Sequence, residues 1–302
     1  MNEIRNMADS VRQRLLNKSR LAGENFHSLL TRYAAERFLY RLSRSEYRTR
    51  FVLKGAFLFV LWEGHLHRPT GDLDLLGTGK QDIQALVDIV RQICNTGVPD
   101  DGLTFLSETV EGHLIREDQE NEGVRIVVRA VLGSARVRLQ IDVGFGDAVT
   151  PEAEEAQFPT ILDSPAPCLP IYPKETVIAE KLEAMVDLGM ANSRMKDFYD
   201  VLYLTRRFEF DGRLLSEAIK ATFQRRRTRL PDEPPLALTD RFGSDEAKSA
   251  QWRAFLSRAG IADQTDLKGA IDELRFFLLP LLSAVASNTE FNQIWSDGAW
   301  RA

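Results

Sequence analysis

The sequence predicts an α+β fold: a mixed-sheet core with flanking helices, followed by a helical C-terminal lobe. Three observations predict it. Apolar and polar residues alternate through Leu139-Gln140-Ile141-Asp142-Val143 and through Asp72-Leu73-Asp74-Leu75, the period-two pattern of half-buried strands. Apolar residues recur at helical spacing in Phe26, Leu29, Leu30, Tyr33, Phe38 and Leu42, and again in Ile83, Leu86, Val87 and Val90. Beyond a proline-rich stretch at 146–173 the pattern turns almost wholly helical.

Taken in order, helices are expected over Ala8 to Leu21 and Asn25 to Ser43. A Lys54-Gly55 turn leads into a helix from Gly55 to Trp62, and the Asp72-Leu73-Asp74 strand follows. Gln81 to Cys94 reads as a helix, then strands over Thr104 to Val110, Val124 to Leu132 and Arg136 to Val143. Six prolines between Gly146 and Pro173 mark a connector with short extended pieces. A helix from about Lys174 to Leu188 opens the second half. Pro231-Asp232-Glu233-Pro234-Pro235 breaks it, and Leu274, Phe277, Leu278, Leu281 and Leu282 line a last core helix. Two lobes result, residues 1–150 with the sheet core and residues 151–302 as a helical lobe.

Composition bounds the function. The 302 residues are 44% apolar and 27% charged, ordinary for a soluble globular chain. No apolar run approaches the roughly eighteen residues of a membrane span; the longest, Phe51 to Trp62, is broken by Lys54 and Gly55. No membrane partner is expected. Met1 to Arg14 lacks the apolar stretch of a signal peptide, and Cys94 and Cys168 are too few for a disulfide framework. A reducing cytoplasm fits. The net charge of −5 argues against a generic nucleic-acid coat but leaves an RNA substrate open through local clusters. Those clusters are Arg41, Arg44, Arg48 and Arg50; Arg125, Arg129, Arg136 and Arg138; and Arg225-Arg226-Arg227-Thr228-Arg229. The last run is the foremost candidate for a phosphate-backbone contact, with a solvated helix end as its plain alternative.

Asp72 and Asp74 carry the chemistry. On a strand they point the same way while Leu73 and Leu75 point into the core. Two adjacent carboxylates call for a cation between them, and hard oxygen ligands favour Mg²⁺ or Mn²⁺. Asp142, on the outward face of its own strand, supplies a third acid. Arg68 and Thr70 precede the pair and stand where a triphosphate would meet it; His65 and His67 offer a rival transition-metal site.

These elements resemble the nucleotidyltransferase superfamily and, within it, the AbiEii/AbiGii toxin nucleotidyltransferases, partners of AbiE-type antitoxins. The motifs read Gly55-Ala56 to Thr70-Gly71-Asp72-Leu73-Asp74, then Asp142, then Glu180-Lys181-Leu182-Glu183-Ala184, then Arg194-Met195-Lys196-Asp197-Phe198-Tyr199-Asp200-Val201. They span roughly residues 50 to 205. Ala56 stands where the family carries Ser or Gly, so a hydroxyl contact to phosphate is missing; Val201 replaces Leu. The resemblance implies a nucleotidyltransferase-like sheet core in which Asp72, Asp74 and Asp142 hold metal, Asp142 serving as second-metal ligand or general base. It implies that Lys54, Gly55, Ala56, Arg68 and Thr70 meet the nucleotide. It implies that Lys181 neutralises the leaving phosphates, Lys196 contacts phosphate, and Asp197 or Asp200 acts as polar positioner.

The activity implied is transfer of NMP from an NTP to an RNA acceptor, foremost the tRNA 3′ end, arresting translation and growth. A cognate antitoxin is the implied protein partner. Two alternatives stand beside it: transfer to a protein or small-molecule hydroxyl, and a non-catalytic module that binds nucleotide or a partner.

Overall fold

The computed structural model describes residues 7–79, 81–116 and 122–302. The chain forms two compact units, Met1–Gly146 with Glu154–Ile171, and Asp147–Ala153 with Tyr172–Ala302. The α+β class and the helical character of the C-terminal region hold.

The first unit runs α1 (Met7–Ala22), α2 (Phe26–Arg44), β1 (Phe51–Lys54), α3 (Phe57–Glu63), β2 (Asp72–Gly77), α4 (Ile83–Cys94), β3 (Leu103–Arg116), β4 (Glu122–Leu132) and β5 (Ala135–Phe145). It closes with β6 (Glu154–Gln157) and β7 (Cys168–Ile171). Asn25 caps α2, its side chain accepting the backbone N–H groups of His27 and Ser28 at 2.8 and 3.2 Å. The strands form one seven-stranded sheet in the order β3-β4-β5-β2-β1-β7-β6. It is mixed: β2 runs parallel to β5 and β1 parallel to β7, while the other pairings are antiparallel.

Two departures from the expected elements have plain causes. The residues before the Lys54-Gly55 turn form a strand, β1, because three apolar residues, Phe51-Val52-Leu53, are too few to show a period of their own. The proline-rich connector returns to the sheet as β6 and β7, so residues 154–171 belong with the first unit.

One sheet face is apolar across its central strands. Leu53, Leu75, Val143 and Val124 are cross-strand neighbours and are all buried. Helices α2 and α4 close over this face. Phe38 of α2 meets Phe105 edge-on at 6.1 Å, and Ile83 and Val87 of α4 press on Gly112.

The second unit holds α5 (Lys174–Leu188), α6 (Met195–Arg207), β8 (Phe210–Asp211), α7 (Gly212–Arg226), α8 (Asp240–Gly243), α9 (Glu246–Ala259) and α10 (Leu267–Ala286), then β9 (Ile294–Ser296) and β10 (Ala299–Arg301). The α10 stripe from Leu274 to Leu282 is buried, as its spacing predicts. The last three strands form a small sheet that the helical reading omits. Its hairpin turns at Asp297 and Gly298, both at positive φ, the backbone a tight two-residue hairpin requires. Trp300 stacks on Phe277 at 5.3 Å, and the Trp295 indole N–H donates to the Thr205 carbonyl at 2.7 Å.

Candidate active site

The polar face of the first unit's sheet is built by register. Lys54 on β1 lies opposite Asp74 on β2, Asp74 opposite Asp142 on β5, and Asp142 opposite Arg125 on β4. Direct cross-strand neighbours share a face, so these four side chains form one row. Asp72, two residues before Asp74, stands on the same face opposite Gln140. Leu73 and Ile141, between the acids, are fully buried on the other side and lock the register; a one-residue slip would exchange the two sets.

Gly55 closes the row beside β1. Its φ is +77°, and a Cβ added there would sit 2.0 Å from Asp74 Oδ2. The Asp74 carboxylate therefore lies directly over the glycine backbone, in space only hydrogen leaves open. Ala56, the departure from the family's hydroxyl residue, is buried with its methyl in the core.

Asp142 is engaged. Arg125 Nε and Nη2 donate to its two oxygens, each at 2.8 Å. Those bonds, against the opposing effect of burial, raise the Arg125 guanidinium above its ordinary value, and the charges of Asp142, Asp72 and Asp74 add to the rise. Lys54 is buried in the row, whereas Arg68 and Thr70 are half-buried in the approach to β2. Thr70 precedes the strand rather than extending it, its hydroxyl 3.4 Å from the Asp72 carbonyl. Among the described residues no three Asp, Glu, His or Cys side chains gather as a metal-ligand cluster. His67 is committed elsewhere: it is buried and stacks on Phe59 with ring centroids 3.5 Å apart.

The second unit gathers the remaining motif residues. Lys181 on α5 donates to Asp197 at 2.5 Å and pairs with Asp200 at 2.9 Å; Arg194 Nε holds the other Asp197 oxygen at 2.6 Å. Both aspartates are 1% exposed. Burial alone would raise the Asp197 carboxyl, but Lys181 and Arg194 outweigh it and hold it below the usual carboxylate range. Asn192 fixes the approach to α6, accepting the Arg194 N–H at 2.8 Å while its amide donates to the Ala184 carbonyl. Lys196 is exposed and stands outside that cluster. The partners of Arg125 and Arg194 escape sequence reading: a cluster and a motif name the arginines, but which acid each holds depends on strand pairing and helix packing.

Arg226 corrects the expectation for the Arg225–Arg229 run. Its guanidinium is buried between Glu183 at 2.8 Å, Asp147 at 3.1 Å and Glu180 at 3.6 Å, and the Thr228 hydroxyl also donates to Glu183. Arg229 pairs with Asp232 at 2.6 Å. The two glutamates flanking Lys181 in sequence are thus held by a structural arginine. Replacing Arg226 with methionine leaves three acids facing one another, and a loss of about 3–5 kcal/mol in unfolding free energy is expected by denaturant titration. A loss under about 1 kcal/mol would mean the acids rehydrate freely.

A mixed sheet carrying paired carboxylates on its polar face, followed in the chain by a helical region, fits the class that the family match gives, the nucleotidyl transferases. The profile of the family described as Nucleotidyl transferase AbiEii toxin, Type IV TA system, matches residues 37–275, and the chain belongs to that family. Membership makes it a nucleotidyl transferase with an NTP as substrate and an antitoxin as partner. Two solved structures from Helicobacter pylori are similar. One, described as a candidate nucleotidyltransferase, is 18% identical with a TM-score of 0.46, covering 83% of this chain and 92% of that one. The other, JHP933, is 17% identical with a TM-score of 0.42, covering 83% of this chain and 89% of that one. No curated protein sequence matches. No helix among the described residues is long and apolar enough to cross a membrane.

Proposed function

We propose that the enzyme transfers NMP from an NTP to RNA, with the tRNA 3′ end as acceptor, and so blocks translation and growth in the cytoplasm. The observation that supports this is the register row of Lys54, Asp74, Asp142 and Arg125, with Asp72 on the same face. Asp72 and Asp74 offer hard oxygen donors that suit Mg²⁺ or Mn²⁺, whose other ligands come from phosphate and water. Such an ion, when bound, lowers the cost of negative charge at the α-phosphate.

Asp142, which the resemblance makes second-metal ligand or general base, has a further part in this reading. With both oxygens accepting from Arg125, it holds a cation beside the acidic pair. Lys54 flanks the pair on the other side, so the triphosphate meets positive charge at both ends of the row. Arg68 and Thr70 are assigned to the incoming phosphates, and the Gly55-Ala56 turn to leaving room for them. Lys181 and Lys196 are assigned to phosphate by their place in the family's motifs, with Asp197 and Asp200 holding Lys181. The acceptor hydroxyl oxygen bonds to the α-phosphorus as the bond to the β-phosphate oxygen breaks; pyrophosphate leaves and the hydroxyl proton passes to water.

Incubation with total tRNA, total protein, Mg²⁺ and each α-labelled NTP in turn tests the acceptor. Label is expected in tRNA and is expected to be lost when the terminal nucleotide is trimmed. Label confined to protein or to a small hydroxyl compound would move the acceptor there.

A further inference from the structure

We propose that Arg129, Arg136 and Arg138 form a track for the phosphate backbone of the acceptor RNA, leading along the sheet to the carboxylate row. The inference rests on the nucleotidyl-transfer reading above and adds the path of the acceptor strand.

Register places the track. On β5, Arg136, Arg138, Gln140 and Asp142 alternate with Val137, Leu139 and Ile141, which are buried on the apolar face. The two arginines therefore share the face of Asp142. Arg129 on β4 lies directly opposite Arg138, just as Arg125 lies opposite Asp142. One face thus carries the acids at one end and three arginines toward the other.

Among the described residues, nothing neutralises the charge of this patch. Arg129, Arg136 and Arg138 are exposed, and among the described residues their side chains make no ion pair or hydrogen bond. Several other arginines of the chain are tied down: Arg41 to Asp101, Arg48 to Glu155, Arg206 to Asp263 and Glu273, Arg226 to its acids. Like charges set directly opposite on neighbouring strands repel, so the Arg129–Arg138 pair weakens the sheet. Of the acids on the neighbouring edge strand, Glu111 stands opposite Val127 and within 4.0 Å of His113, and Glu108 lies in the bulge between Leu106 and Glu111; among the described residues neither forms an ion pair with these arginines.

The chemistry points to a phosphodiester strand. Residues two apart on a strand are separated by roughly 6.6 Å, comparable to the spacing of successive phosphates on an extended nucleic-acid chain. Guanidinium groups match phosphate oxygens in pairs. Helices α2 and α4 close the opposite face and leave this one clear of themselves. A strand lying along the track would bring its end to Asp72 and Asp74.

The test is tRNA binding by fluorescence anisotropy in EDTA, so that neither metal nor turnover contributes. Arg129→Ala/Arg138→Ala is expected to weaken binding at least tenfold and to reduce the slope of log affinity against log salt by about 2. The Arg129→Lys/Arg138→Lys protein, which keeps the charge, is expected to lose less than threefold. Thermal melting of each variant checks folding, which exposed positions should not disturb. In turnover, the alanine pair should raise KM for RNA while kcat and KM for NTP stay within twofold. Unchanged tRNA binding by the alanine pair overturns the track, as does an equal loss in Arg225→Ala/Arg227→Ala with none here. Loss of antitoxin binding with tRNA binding intact would assign the patch to an acidic protein and also overturn it. If the unaltered enzyme binds tRNA through the track yet labels none, the acceptor assignment fails while the track stands.

Discussion

Gly55→Ala is expected to lower nucleotidyl transfer about a hundredfold or more while the protein stays folded. Two effects act together. The alanine must adopt a φ of +77°, which costs an L-residue about 1–2 kcal/mol. Its methyl would also need the space of the Asp74 carboxylate, since the added carbon falls 2.0 Å from Oδ2. Asp74 must therefore turn away, and a displacement of about 1 Å at a reacting centre is enough for a loss on the order of a hundredfold. The strain should lower the melting temperature by only several degrees, so the activity loss will exceed anything unfolding explains. Gly97→Ala serves as the comparison, because that glycine has no positive φ and nothing within 4 Å of an added Cβ. Equal activity in both variants would mean Asp74 does not need its present position.

Asp197→Ala is expected to destabilise the second unit strongly. The carboxylate is buried, with Lys181 at 2.5 Å and Arg194 at 2.6 Å on its two oxygens. Removing it leaves two cations with one remaining acid, Asp200, and breaking a buried pair in this way costs about 3–5 kcal/mol. The pH dependence carries a sign. Because the folded-state carboxyl is held below its ordinary value, its contribution is present above the ordinary carboxylate range and is lost as pH falls through the lowered folded value. Asp197→Asn should therefore unfold at a pH-independent offset above about pH 5, and the gap to the unaltered protein should narrow in stronger acid. A gap that stays constant to the lowest measurable pH would show that Asp197 does not titrate with unfolding.

Much of this site is legible in the sequence, for a physical reason. Period-two alternation in Asp72-Leu73-Asp74-Leu75 sets which side chains share a face before any partner strand is known. The helical stripe at Leu274 to Leu282 is legible in the same way, because packing periodicity is local. What is not local stays hidden. That Asp74 sits beside Asp142 depends on parallel pairing across a long stretch of chain, and that Arg125 takes Asp142 depends on the next strand again. Strand β1 is hidden because only three apolar residues precede Lys54, too few for a period to show. The β9–β10 hairpin did leave a signal in Asp297-Gly298, a dipeptide suited to a tight turn, but three-residue strands give too short a pattern to accompany it. The Arg225–Arg229 run misleads because charge in a sequence does not reveal which arginine points inward to buried acids.

The central claim is that the Asp72 and Asp74 face is the transfer centre. The most direct measurement is pyrophosphate release from NTP in the presence of tRNA and Mg²⁺, for the unaltered enzyme, Asp72→Asn and Asp74→Asn. Release is expected from the unaltered enzyme, and each amide should reduce it at least a thousandfold with melting temperatures unchanged within a few degrees. Release from both amide variants within tenfold of the unaltered rate would contradict the claim and place the chemistry elsewhere in the chain.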